Sequence, residues 1–258
     1  MPTTYNGEHA VIFGDGDFTD GIFKMTRSVN TWNNWFLIPT SRPTLSTPGP
    51  QTKFVDIPGM NGGYDISDYL TPNMVFTDRS GSLEFVVDNE HADWLTIYLE
   101  IATYLHGQKM KMILADDPEW YYEGRFNLDE WKSEQKNSKI AISYRVYPFK
   151  KSIYSAFAEN LYWDTFCFER DMDWSQFWHV TVSSTPKVLE VTSYGTPNEL
   201  QIRLVSGTSV TAAFGGTSIT VTRTGRITTL GSGDRSGVTE LTLSGSGIVD
   251  VGWQKLSL

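Results

Sequence analysis

Residues 183–258 alternate apolar and polar side chains in short segments, and this pattern constrains the fold more than any other feature of the chain. Examples are ELQIRL, SITVTR, TELTL and IVDVGW, which are separated by Gly- and Ser-rich stretches such as GSGDRSG and SGSG. A side-chain period of two fits a strand with one buried face, and regularly spaced turn signals join such strands into a sandwich. We therefore predict a C-terminal antiparallel β-sandwich over residues 183–258.

One segment of the first 150 residues has helical periodicity. In DNEHADWLTIYLEIATYLHG, apolar residues recur every three or four positions, and the helix is predicted over residues 88–106. Asp88 or Asn89 is the expected N-cap, and Gly107 the expected left-handed stop. The flanking segments LEFVV, MKMIL and KIAISYRVYP have the pattern of strands. The prediction is an α+β domain over residues 1–150, with one helix covering a sheet, in a chain that is mainly β.

Residues 151–182 are irregular in pattern and rich in aromatic side chains, which predicts a linker that docks on both domains. This segment and the sandwich contain the tryptophans that could stack on sugar rings or contact a partner if they are exposed, because an aromatic face buries much apolar area at low entropic cost. These candidate contact residues are Trp163, Trp174, Trp178 and Trp253. The alternative is that they fill the cores.

The stretch DDPEWYYEGRF, residues 116–126, raises the question of an acidic active site. Its alternation predicts a strand with Tyr122 and Phe126 on a buried face and Glu119 and Glu123 on a wet face, launched by a turn at its two aspartates and proline. At roughly 3.3 Å per residue the two glutamates lie about 13 Å apart, which is too far for the carboxylate pair of a glycosidase. Arg125 on the same face favours an ionised Glu123. We predict a structural strand, no catalytic residue and no enzymatic activity.

Other motifs fail the tests for a metal or cofactor site. GDGDFTDG, residues 14–21, departs from a calcium loop because Asp20 stands where glycine is needed and Thr26 where the bidentate glutamate belongs. It also lacks the third glycine of a dinucleotide fingerprint, so a turn between strands is predicted. Cys167 is the only cysteine, and the four histidines are scattered. We predict no metal site and no cofactor.

The charge balance limits the partners. The formal net charge is −9 and the sequence contains no basic run, which argues against sequence-specific nucleic-acid binding. No apolar run approaches the length of a membrane span, so no membrane insertion is expected. The N-terminal residues lack the pattern of a secretory signal, and we expect assembly in a cytoplasm.

Several motifs in register carry a family resemblance. They are NTWNNWFLIPTSRP (30–43), TKFVDIPGMNGGYDISDYLT (52–71), RSGSLEFVV (79–87), YLHGQKMKMIL (104–114), DDPEWYYEGRF and KIAISYRVYPFK (139–150). In this order and spacing the chain resembles the distal tail protein (Dit) of long-tailed bacteriophages, the siphovirus-type tail component family. The C-terminal block resembles that family's galectin-like β-sandwich in its pattern and in the closing GSGIVDVGWQKLSL.

The resemblance implies a structural protein of the virion tail tip, assembled in the host cytoplasm. Six N-terminal domains would form a hexameric ring, a baseplate hub that joins the tail tube to the host-adsorption apparatus. Its partners would be the tail tube protein, a tail-associated tip protein and receptor-binding proteins. The acidic balance fits a lumen through which DNA slides without sticking. Two other classes stay open: a carbohydrate-binding, lectin-like module that contacts the host surface, and a hydrolase of the host envelope.

Overall fold

The computed structural model describes residues 7–19, 21–67, 69, 74–88, 93–129, 139–157, 178–183, 185–194, 199–232, 236–254 and 256–258. Over these residues the chain is mainly β, with a single helix and antiparallel strand pairs throughout its sheets. The predicted mainly-β fold class is confirmed.

The elements form two sheets and a separate hairpin made of β4 and β5, and along the chain they fall into two groups. The first group contains β1 Val11–Thr19, β2 Ile22–Asn30, β3 Leu37–Pro39, β4 Phe54–Asp56, β5 Gly63–Asp65, β6 Arg79–Val87, α1 Trp94–Leu105, β7 Lys109–Leu114, β8 Asp117–Leu128, β9 Lys139–Val146 and β10 Lys150–Ser152. The second contains β11 Trp178–Val182, β12 Lys187–Tyr194, β13 Glu199–Phe214, β14 Thr217–Val221, β15 Ile227–Ser232 and β16 Ser236–Gln254. The short final strand, β17 Leu256–Ser257, pairs with β10 and so belongs to the first sheet.

The first sheet has the strand order β2-β1-β7-β8-β9-β6-β3, and α1 covers one of its faces. The helix buries Trp94, Ile97, Ile101 and Leu105 against that face, at the spacing that the sequence predicts. From the sheet, residues such as Phe126 complete this core. The helix therefore packs on the sheet with the apolar side that its periodicity predicts.

The predicted start of the helix is wrong. The helix begins at Trp94, and its N-cap is Asp93, whose carboxylate accepts a hydrogen bond from the backbone N–H of Thr96 at 3.2 Å. Asp88 lies five residues before Asp93, where its N–H donates to the carbonyl of Phe36 and extends the ladder between β3 and β6. Asn89, the other predicted cap, lies outside the described residues. The predicted stop is observed at Gly107, with a φ of 74°.

The stretch GDGDFTDG also differs from its prediction. Instead of a turn, its first six residues continue strand β1, and those from Asp15 to Thr19 pair with β2. The glycines serve close packing, since a Cβ at Gly16 would collide with the ring of Phe23.

The second sheet folds over its own core. Strands β13 and β16 pair along nearly their whole length; one half of the pair is flanked by β11 and β15, the other by β12 and β14. Between the halves the register shifts twice, and Gly207 and Gly245 have positive φ values of 118° and 122°. A Cβ at Gly207 would collide with the backbone of Gly247. Buried residues of both halves, such as Ile202 and Phe214, belong to one hydrophobic cluster.

A short strap joins the two sheets. Strand β10 pairs on one side with β8 of the first sheet and on the other with β17, the strand that follows β16. Tyr121 lies on the same face of β8 as Glu123, the face that was predicted to be wet, but it is only 3% exposed. Its ring stacks on Phe23 with centroids 4.4 Å apart, and its hydroxyl accepts a hydrogen bond from Gln254.

Candidate functional site

The four predicted contact tryptophans have different outcomes. Trp163 and Trp174 lie outside the described residues. Trp178 and Trp253 come together, with ring centroids 5.7 Å apart and ring planes at 66°, and Trp178 packs on the second core. This edge-to-face pair is half-buried and does not present two parallel ring faces. A contact of these two residues with a sugar or a partner stays a prediction.

The carboxylates at the start of β8 hold distant parts of the chain. Asp116 accepts hydrogen bonds from Arg42 Nε at 2.9 Å and interacts with His9 Nδ1 at 2.9 Å. Asp117 forms an ion pair of 2.6 Å with Lys150 on the strap. The turn before β8 therefore fixes the N-terminal segment, the segment that follows β3, and the strap.

Glu123 is an ion-pair partner and does not have the properties of a general acid. Its two oxygens lie 2.7 Å from Lys109 Nζ and 3.3 Å from Lys151 Nζ, so two lysines, and not Arg125, favour its ionised form. Burial raises the pKa of Glu123, but the hydrogen bonds and charges of the two lysines outweigh burial and hold that pKa below its ordinary value. Arg125 donates instead to the carbonyl of Gly107 at 3.0 Å.

Lys151 is the ionic centre of the junction between the two sheets. Its side chain is 12% exposed, and Nζ lies 2.8 Å from Glu199 Oε1 on β13 as well as 3.3 Å from Glu123 on β8. Burial lowers the pKa of Lys151, but the charge of Glu199 and its other partners raise it above its ordinary value. One buried cation therefore bridges a carboxylate of each sheet.

An amide network completes the junction. Gln254 on β16 is buried, and its Nε2 donates to Tyr121 Oη at 3.1 Å and to the carbonyl of Ser152 at 2.6 Å. Its neighbour Gln201 on β13 accepts from the backbone N–H of Ala156 at 3.2 Å. Burial raises the pKa of Tyr121 to about 12, so its hydroxyl stays protonated in this network. Because each sheet contributes partners, the junction fixes the two sheets relative to each other.

The hairpin of β4 and β5, residues 54–65, is exposed along its whole length, and we call it the arm. Among the described residues its two strands pair only with each other, and its base is closed by hydrogen bonds of 2.8 Å from Gln51 N to Val75 O and from Thr77 N to Gly49 O. Its exposed apolar residues are Phe54, Val55, Ile57, Met60 and Tyr64. An isolated two-stranded hairpin is marginally stable in water, and exposed apolar patches mark interaction sites.

A second apolar surface lies along the outer side of α1. Leu95 and Leu99 are 53% and 55% exposed and stand one turn apart. Beside Leu99 a groove of about 690 Å³ runs between the helix and the first sheet, and Trp35 and Tyr104 form part of its wall. We call this surface the helix groove. It is separate in sequence from the arm.

Sequence reasoning missed the junction and the exposure of the arm. The junction partners are far apart along the chain: 48 residues separate Lys151 from Glu199, and 133 separate Tyr121 from Gln254. The arm had a visible signal in FVDIPGMNGGYD, two short apolar segments around a Gly-rich turn, but this pattern does not tell exposed strands from buried ones.

The described part of the chain holds no group of three or more His, Cys, Asp or Glu side chains arranged for a metal ion. Within the same residues, α1 is too short to cross a membrane.

Among solved structures, the chain is similar to the SPP1 Dit (gp 19.1) protein, described as a paradigm of hub adsorption apparatus in Gram-positive infecting phages. The identity is 13%, the match covers 86% of this chain and 94% of that chain, and the TM-score is 0.43. SPP1 Dit carries the name of the family that the sequence motifs resemble. At this TM-score no residue role is transferred to this chain. No protein-family model and no curated protein matches the sequence.

Proposed function

We propose that this chain is a structural hub protein of a phage tail tip and assembles into a closed ring of identical subunits, six in number as the sequence resemblance implies. The observation that carries the proposal is the arm, whose apolar side chains have no core of their own to enter. Phe54 and Tyr64 are 58% and 55% exposed. A soluble chain that retains such a hairpin is expected to bury it against a partner.

The simplest partner is another copy of the chain, because no second kind of protein is then needed. A cyclic ring is built from heterologous contacts, in which two different patches of each subunit meet. The chain offers two apolar patches, the arm and the helix groove, in different segments of its first 105 residues. We propose that the arm of one subunit docks in the helix groove of the next.

The chemistry of the acidic residues supports a structural role. In the stretch that most suggested an active site, Asp116, Asp117 and Glu123 each bind at least one cation of the same chain. The pKa of Glu123 lies below its ordinary value, whereas a general acid at neutral pH needs a raised one. These carboxylates stabilise the fold and the junction.

The junction suits a hub that presents an outer domain at a fixed angle. We propose that the first sheet forms the ring and that the second sheet projects from it toward the tail tip and the host surface. The ion bridge of Lys151 and the amide network of Gln254 would then hold each outer domain to its ring subunit.

The test measures mass and shape together. Purified chain is analysed by size-exclusion chromatography with light scattering and by negative-stain microscopy, alongside the double variant Phe54→Ser/Tyr64→Ser. The wild type is expected to form rings of six chains, and the arm variant to be a folded monomer. Val188→Ser/Val238→Ser is the matched control, because these two valines are about as exposed as the arm residues and lie on the second sheet. The control is expected to form rings.

Either of two results contradicts the proposal. If the wild-type chain stays monomeric at all concentrations, the proposed ring is wrong. Rings formed equally by the wild type and the arm variant show that the arm is not part of the contact.

A further inference from the structure

Three cations stand side by side on the face of the first sheet that points away from α1. Lys109, Arg125 and Arg145 are direct cross-strand partners on β7, β8 and β9. All three are exposed, and they line the rim of a cleft of about 590 Å³ that Lys151 and Glu199 also border. We call the three residues the cationic row. Like charges directly opposite one another destabilise a sheet, so the row has an energetic cost for the isolated chain.

The row is neutralised at its ends and not at its centre. Lys109 pairs with Glu123 at 2.7 Å, and Arg145 with Asp78 at 2.7 Å. Arg125 lies between the two other cations, and no carboxylate of the described residues pairs with it; its Nη1 donates to the carbonyl of Gly107. A guanidinium in this position is arranged to receive an external carboxylate.

The GDGDFTDG motif provides carboxylates, whose charge is opposite to that of the cationic row. Strand β1 pairs with β7 only from Val11 to Gly14, whereas its pairing with β2 continues to Thr19. Asp15 and Asp17 lie in this projecting ribbon and are both exposed. Neither forms an ion pair with a described residue, although Asp17 stands across the ladder from Lys24 and the charges of both act on Lys111 of β7. We call Asp15 and Asp17 the acidic tip.

The ribbon extends beyond the ladder that joins it to the rest of the sheet. Its own ladder, between β1 and β2, has a register shift between Phe13 and Asp15, and β1 pairs with β7 no further than Gly14. Backbone hydrogen bonds from Phe23 N to Ile153 O and from Ser155 N to Gly21 O then fix the ribbon to the strap side, at 2.6 Å and 2.7 Å. The acidic tip therefore lies beyond the end of the ladder between β1 and β7, and β7 separates its strand from β8 and β9.

We infer that the acidic tip of one copy binds the cationic row of the next copy, with Arg125 as the central contact. The inference rests on the proposed ring and adds to it an ionic contact that selects the orientation of neighbouring subunits. The two surfaces are different patches of one chain, as a heterologous contact requires. Electrostatic complementarity of this kind fixes register and suppresses wrong pairings.

The experiment is a charge exchange between copies. One chain carries Asp15→Lys/Asp17→Lys, and a second carries Arg125→Glu/Arg145→Glu. Each alone is expected to assemble roughly tenfold more weakly than the wild type, because like charges meet at every contact. In an equimolar mixture both kinds of contact join opposite charges again, so an alternating ring with an even number of chains should recover. Assembly is measured by mass photometry over a dilution series.

Folding is controlled separately. The single variant Arg125→Gln removes the repulsion within the row, so its thermal midpoint is expected to equal or exceed that of the wild type while its assembly weakens. Arg226→Gln, an exposed arginine of the second sheet, should change neither quantity.

The outcomes separate this inference from the ring proposal. Wild-type rings together with reversed chains that assemble as well as the wild type would overturn the inference and leave the ring in place. Folded reversed chains that fail to recover on mixing would do the same. A wild type that never assembles would overturn the ring itself, and the ionic contact with it.

Discussion

The junction and the arm differ in which side chains they bury: the junction buries polar groups, and the arm exposes apolar ones. At the junction, polar groups from β8, β10, β13 and β16 are taken out of water and bound to one another, as in the contacts of Lys151 and Gln254. In the arm, apolar groups such as Phe54 and Tyr64 are left in water without a core. The first region is complete within one chain. The second is left open within one chain, and in the proposed ring a neighbouring copy would cover it. The difference is that between a surface that stabilises the subunit and a surface proposed to assemble it.

The largest effect is expected from breaking the junction. Lys151→Met leaves the carboxylates of Glu123 and Glu199 without their shared cation, and removing one member of a buried ion pair costs about 3 to 5 kcal/mol. We expect a free energy of unfolding lower by about 3 kcal/mol and a wider range of angles between the two sheets. Urea denaturation and small-angle scattering measure the two quantities.

The control for that variant is Lys187→Met. Lys187 is an exposed lysine at the start of β12 and should give a change within about 0.5 kcal/mol. Equal stability of the Lys151 and Lys187 variants would show that the ion bridge does not fix the junction.

A smaller effect is expected from acid. The folded-state pKa of Glu123 lies below its unfolded value, so its contribution is fully present above the unfolded pKa, about 4.3, and is lost as pH falls through the folded pKa. The pKa of Lys151 is raised, so its contribution is present below its unfolded pKa and is lost only at strongly alkaline pH. Glu123→Gln should therefore lose stability against the wild type at pH 7 and approach it at pH 3.

Urea midpoints at pH 7, 5 and 3 for the two proteins check this expectation. A stability gap that is constant over the three pH values would mean that ionisation of Glu123 contributes nothing to the junction.

The smallest effect on stability is expected in the arm. Phe54→Ser/Tyr64→Ser removes side chains that are more than half exposed, so the unfolding free energy of the monomer should change by no more than about 0.5 kcal/mol, even though ring formation is lost. Calorimetry on dilute, monomeric samples provides the measurement. A loss comparable to that of Lys151→Met would show that the arm packs within its own subunit, and the contrast between the two regions would fail.

Local periodicity predicted what depends on neighbours along the chain. The buried side of α1 follows from the spacing of Trp94, Ile97, Ile101 and Leu105, and Gly107 ends the helix as expected. The N-cap was misplaced because Asp88, Asn89 and Asp93 are all residue types that cap helices, and the apolar periodicity does not tell which of them accepts from the first turn; in the structure Asp93 does.

Long-range contacts could not be predicted in this way. Nothing in the alternation of β8 indicates that Tyr121 is covered, because its partner Gln254 lies 133 residues away. The acidic motif at residues 14–21 looked like a turn because its glycines have a second use, the close approach of Phe23 to Gly16. The contact proposed for the arm involves a second subunit, and the periodicity of one chain does not describe such a contact.

The pairing of β13 with β16 on both sides of Gly207 and Gly245 has a mechanical consequence. Because β13 and β16 run through both halves of the second sheet and the buried residues of the two halves form one cluster, opening one half exposes the core of the other. Heat or tension should therefore unfold this sheet in a single step.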